Sequence, residues 1–146
     1  MNRTQFVSVA VLLATTAIGQ DEGPDGSPGL SVYDRMVTVI APATDTLWGI
    51  EDPQSDADWQ VFVDAANVVI DSGNALLAGG TGRYDAVWAA DPQWRIFVDQ
   101  LVAAGRDARR AAENRDLDAM WTAGEVLYPP CEECHLKFNP GVLSEQ

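Results

Sequence analysis

Histidine occurs once in this chain of 146 residues, at position 135, and cysteine only twice. A zinc site takes about four ligands, so these three side chains would need a carboxylate to complete one. Basic residues are scarce too: 9 Lys and Arg face 22 Asp and Glu, for a net charge of −13. That balance makes nucleic acid and anionic membrane surfaces poor partners. No apolar run is long enough for a permanent transmembrane helix. No convincing strand alternation is present, and so no strand–helix–strand frame for a thioredoxin-like thiol pair. Phosphate loops, nucleophile–base pairs and carboxylate dyads in a supporting context are also missing. Nothing marks a catalytic residue, and the chain is expected not to be an enzyme.

What the chain does have is Cys131-Glu132-Glu133-Cys134-His135. Two cysteines two residues apart, with histidine directly after, form the attachment pattern for c-type haem. Each thiol can add to one vinyl group, and the spacing lets the chain span the porphyrin edge. The adjacent imidazole then falls under the iron as proximal ligand. The pattern uses both cysteines and the only histidine. It implies one covalently bound haem c, held through Cys131 and Cys134. A disulfide across so short a gap would be strained.

The start of the chain agrees with this chemistry. Met1-Asn2-Arg3 is a short positive segment, Phe6 to Ala17 is apolar, and Ala17-Ile18-Gly19 offers small residues for cleavage before Gln20. Residues 1–19 are therefore expected to be a secretory signal peptide. Export places the protein in the bacterial periplasm, where covalent haem attachment occurs, with no stable membrane insertion after cleavage. No cysteine follows the apolar run to carry a lipid anchor. Cleavage removes Arg3 and leaves 8 basic against 22 acidic side chains, a net of −14. A redox partner with a basic surface fits that charge, and so does plain solubility in a salty or acidic setting.

Residues 20–29, rich in Gly, Pro and acid, read as a flexible leader. Residues 30–146 form a single domain of four helical patterns. The first spans Ser31 to Ile50 with Val32, Met36, Val39, Ala43, Leu47 and Ile50 inward, and a kink expected at Pro42. The second spans Asp56 to Ala78, capped by Asp56 and ended by Gly79-Gly80. Its inward set is Trp59, Phe62, Val63, Ala66, Val69, Ile70, Gly73 and Leu77. Thr81 to Ala90 connects, with room for a short helical turn around Tyr84 to Trp88.

The third helix starts at Asp91-Pro92 and buries Trp94, Phe97, Val98, Leu101, Val102, Gly105 and Ala108. Arg106, Arg109, Arg110 and Arg115 at its end can complement the helix dipole, or face haem propionates or another acid. The fourth spans Asp116 to Phe138 with Met120, Gly124, Leu127, Cys131, Cys134, His135 and Phe138 on one face. Pro129-Pro130 should break the ladder and predicts a kink or a restart, with Pro130 in the opening turn of a short haem-bearing helix. The five tryptophans are expected to pack the core or line the haem edge. The pattern favours an all-α antiparallel four-helix bundle with haem on the C-terminal helix.

A sixth iron ligand would have to come from upstream, because Leu136 to Gln146 contain no methionine or histidine. Met120 would lie about 20 Å from His135 along a continuous helix, and Met1 leaves with the signal. Met36 remains. Its position fits equally a core methionine filling space or a distal ligand.

A CxxCH near the end of a four-helix chain of this length, with Phe138 one turn later, resembles the cytochrome c-prime and cytochrome c-556 family. The resemblance implies a left-handed antiparallel bundle, often a homodimer through its first two helices. It makes His135 the proximal ligand and places the distal position, Met36, on the first helix. A methionine there implies six-coordinate iron serving electron transfer. An apolar residue implies five-coordinate iron that binds nitric oxide or carbon monoxide. Members often carry a basic residue directly after the aromatic; here that position is Asn139, and the nearest cation is Lys137. The expected function is an exported mono-haem electron carrier, with a gas-binding haem protein as the alternative. In the latter Val32, Val39 or Met36 would wall the iron. A peroxidase would need a distal base; no second histidine exists, and Asp34 and Arg35 should point away from the face of Met36.

Overall fold

Every element among the described residues of the computed structural model, 29–49, 53–139 and 141, is helical. The expected signal peptide and most of the 20–29 leader lie outside the described residues, as does Ile50. Ser31 starts the first helical run, its hydroxyl accepting from the Asp34 amide. That run is built from α1 (Val32–Arg35), a π-helical turn (Met36–Ile40) and α2 (Ala41–Trp48).

Proline explains this construction. An α-helical Pro42 would offer no donor and would press its ring on the Thr38 carbonyl. Instead the ladder widens just ahead of it, with the Ala41 amide donating to the Met36 carbonyl five residues back. Pro42 then occupies the first turn of α2, where its missing donor costs nothing. The expected kink is thus a π-turn, and the extra residue rotates the face. Ile40 becomes buried and Val39, expected inward, is left half-buried.

α3 (Asp56–Leu76) is capped one residue earlier than expected. The Ser55 hydroxyl accepts from the Asp58 amide while the Asp58 carboxylate accepts from the Ser55 amide, a reciprocal capping box. Phe62, Ala66, Val69, Ile70 and Gly73 are buried as expected, with Trp59 and Val63 half-buried. At its end Leu76, not Leu77, is the buried leucine. The chain turns off the helix at Gly79, whose φ of 82° suits glycine. The short α4 (Asp85–Ala89) follows.

α5 (Pro92–Glu113) carries the expected N-cap at Asp91, with Pro92 opening the helix and the whole expected stripe buried. α6 (Leu117–Phe138) overturns the expected break, because it continues through Pro129 and Pro130 without restarting. The carbonyls that lose their donors belong to Glu125 and Val126, both at exposed positions where water can serve them.

The elements pack against one another, α3 on α5 and α5 on α6 most extensively, with α2 touching α3 and α6. Glycine sets the closest approach. A Cβ on Gly73 would stand 2.6 Å from Val102 Cγ2, and one on Gly105 would meet Val69 and Ile70 at 3.1 Å. The described residues therefore form an all-α fold with its core along α3 and α5. One side of that core opens into a cavity.

Candidate functional site

Positions i, i+3 and i+4 of a helix share one face, so Cys131, Cys134 and His135 project together from α6. All three line a cavity of about 580 Å³, within the roughly 300–1,000 Å³ usual for ligand sites. Val32, Met36 and Ile40 line it from the first helical run, and Trp94, Phe97, Val98 and Leu101 from α5. Cys131, Cys134, His135 and Met36, the four site residues expected from the sequence, therefore meet at one cavity.

The unbroken α6 keeps Met120 out. Its side chain is 1% exposed in the core and does not line the cavity. Asp34 and Arg35 are not part of the wall either. Val39 does not line the cavity; the π-turn puts Ile40 there instead.

The environment is apolar. Among the described residues Asp45 is the one carboxylate in the lining, and no lysine or arginine contributes. Arg106, Arg109, Arg110 and Arg115 are absent from the lining, and the last three pair elsewhere. Arg110 pairs with Asp107 at 2.6 Å, Arg115 with Asp56 at 2.9 Å and Arg109 with Glu113 at 3.6 Å. Burial pushes the Cys131 thiol up to about 11; burial, then the neighbouring Cys131, pushes Cys134 up to about 12. Both are free thiols, which removes the disulfide reading, and Cys131 Sγ donates to the Leu127 carbonyl at 3.3 Å. Burial lowers the His135 pKa, so the neutral imidazole, with a lone pair to donate, is favoured. Among the described residues no three His, Cys, Asp or Glu side chains gather as a metal ion would need. Glu132 and Glu133, which could have completed a zinc set, are exposed.

Aromatic rings form one side of the wall. Trp94 stands edge-on to Phe138 with centroids 5.1 Å apart, and Trp88 stacks on Trp94 at 6.0 Å and on Tyr84 at 6.1 Å. The Trp94 indole donates to the Leu76 carbonyl at 2.8 Å, which satisfies its buried N–H. Trp48 also lines the cavity and donates to the Gly124 carbonyl at 3.0 Å. Trp121 departs from expectation, being 52% exposed and away from the lining. Lys137 reaches across to Asp91 at 2.8 Å, tying the end of α6 to the start of α5.

Sequence reasoning missed Asp85. Its carboxylate is 3% exposed and accepts from the Val32 amide at 2.8 Å and the Gly82 amide at 2.7 Å. The one signal in the sequence was the glycine run Gly79, Gly80, Gly82 just ahead of an acid. No family model, no curated protein and no solved structure matches this chain.

Proposed function

We propose that this protein is an exported mono-haem c-type cytochrome that carries electrons. The observation that carries the reading is the meeting of Cys131, Cys134 and His135 with Met36 at one apolar cavity. The donor set fits the group. Two thiols one helical turn apart suit two vinyl groups, the adjacent imidazole suits iron, and the rings of Trp94, Phe97 and Phe138 suit a flat apolar macrocycle. Bound haem supplies a one-electron iron couple.

The chain's own residues do the rest. Cys131 and Cys134 would hold the group by thioether links, the S–H of each adding across one vinyl group. His135 donates its ring nitrogen from α6. Met36 offers a thioether from the facing helical run, a ligand that raises the reduction potential. The aromatic wall would give the group an apolar face to lie against.

The resemblance to the cytochrome c-prime and cytochrome c-556 family is part of this reading, and with it an antiparallel four-helix bundle of the long helical runs. Pairing of two copies through the first two helices is also part of what the resemblance implies. The acidic charge favours a basic redox partner. Periplasmic location follows from the expected signal peptide.

Gas binding is the second reading. It is favoured by the apolar side chains of Val32 and Ile40, which line the cavity on either side of Met36 and would wall an open iron position. Spectra of the oxidised and reduced protein separate the two. Electron transfer with Met36 bound predicts a ferric methionine–iron charge-transfer band that Met36→Ala abolishes. A high-spin spectrum unchanged by that substitution, with rapid carbon monoxide uptake on reduction, would establish the gas-binding reading instead.

A further inference from the structure

Asp85 is the only carboxylate buried among the described residues, and the cavity chemistry does not use it. It lies 53 positions from Val32 in sequence, yet its Oδ2 accepts from the Val32 amide at 2.8 Å. The same oxygen accepts from the Gly82 amide at 2.7 Å. The loop before it is shaped to the carboxylate. A Cβ on Gly80 would lie 2.6 Å from Oδ2, and one on Gly82 would lie 2.6 Å from Oδ1. The loop also grips the backbone just ahead of α1. The Thr81 amide donates to the Leu30 carbonyl at 3.3 Å, and the Thr81 hydroxyl donates to the Gly29 carbonyl at 3.0 Å.

The clamp sits where the cavity wall begins. Val32 lines the cavity, and Met36, one turn on, lines it too. Met36 also opens the π-turn: its amide still donates to the Val32 carbonyl four residues back, but its own carbonyl accepts from the Ala41 amide five residues on. A wall segment whose ladder changes register within five residues needs an anchor at its other end. A desolvated carboxylate accepting two amides is a strong one, because hydrogen bonds to charged groups exceed neutral ones.

We propose that Asp85 is a positioning residue that fixes the Val32–Met36 wall and so sets where the Met36 thioether stands relative to the group held by α6. The last clause rests on the haem reading; the anchoring itself does not.

Three variants test it: Asp85→Ala, Asp85→Asn and Gly82→Ala. Asparagine keeps an oxygen where Oδ2 sits but loses the charge, and should rescue in part. Alanine at position 82 pushes the carboxylate aside without deleting it, which covers the case in which Asp85→Ala does not fold. Hydrogen exchange on the full mature protein reads the anchor directly. Amides of Val32 to Met36 should exchange roughly ten- to a hundredfold faster in Asp85→Ala and Gly82→Ala, while those of α3 and α5 stay protected. In haem-loaded protein the same two variants should lose the methionine–iron band as Met36→Ala does, with haem content unchanged.

Unchanged exchange at Val32 to Met36 in Asp85→Ala and Gly82→Ala would overturn the anchor whatever the cavity holds. Altered exchange with the band intact would overturn its effect on Met36. A colourless protein, or a spectrum indifferent to Met36→Ala, would instead remove the haem or ligation reading, and exchange would still decide whether Asp85 anchors the wall.

Discussion

Met36 and His135 line one cavity from different helices, Met36 at the head of a π-turn and His135 on a helix that runs unbroken through two prolines. Neither helical irregularity belongs to the donor atoms, but both decide where those atoms stand. The π-turn keeps Pro42 from breaking the first helical run. The unbroken α6 keeps Met120 in the core.

That division predicts opposite outcomes for two methionines. Met120→Ala empties a fully buried site and should cost about 2–5 kcal/mol of stability, with the visible spectrum of the loaded protein unchanged. Met36→Ala should change the spectrum while lowering stability by less, since Met36 is only half-buried. Thermal melts paired with absorption spectra check both. A spectral change in Met120→Ala would contradict the assignment.

Helix approach gives the second prediction. Gly73→Ala drives a methyl to 2.6 Å from Val102 Cγ2 in the α3–α5 contact. Overpacking of this kind costs about 1–3 kcal/mol. Denaturant titration should show that loss, and Val102→Ala in the same chain should recover part of it. Additive losses in the double variant would show that the two positions do not touch.

The thiols supply a pH prediction for the chain with both cysteines free. With pKa values pushed up to about 11 and about 12, Cys131 and Cys134 stay protonated far above neutrality. Alkylation by iodoacetamide at pH 8 should be slower than in the denatured chain, because the thiolate is the nucleophile. The sign for stability follows. A group whose pKa is raised on folding favours the fold below its unfolded pKa, near 9, and loses that contribution as pH rises through 11 to 12. Equal alkylation rates in folded and denatured chains would contradict the burial.

Acid works on the opposite side. The Lys137 ammonium, then the Gln93 amide, hold the Asp91 carboxyl below its usual value; the Ser55 hydroxyl, then the Gln54 amide, do the same for Asp58. Carboxylates lowered on folding stabilise above their unfolded pKa, near 3.8, and that contribution fades as pH falls through the lower folded values. Lys137→Met should therefore lower neutral stability slightly, as expected for an exposed pair, and flatten the acid limb of a stability-against-pH curve by the same amount.

Most of the helices were legible in the sequence because their apolar stripes repeat every three to four residues and both Asp91 and Gly79 carry strong end signals. The face of α5 was readable residue by residue. What escaped notice depends on tertiary context. Pro129 and Pro130 should end a helix in isolation, yet packing of Leu127, Pro130 and Cys134 holds α6 together. The choice of Ser55 over Asp56 as cap depended on a reciprocal bond from Asp58. Asp85 looked like one more solvated acid among 22, and only the fold shows the Val32 amide above it. The grouping of Cys131, Cys134 and His135 was legible because a spacing of three and four residues puts side chains on one helix face.

Covalent attachment is the central claim, and mass spectrometry after acidified organic extraction tests it most directly. Mature protein exported by a bacterial host should keep its colour through extraction, and the peptide bearing Cys131 to Lys137 should carry one haem joined at both sulfurs. Replacing both cysteines by serine should abolish the adduct. A peptide of unmodified mass, or pigment that leaves with the solvent, would contradict the account.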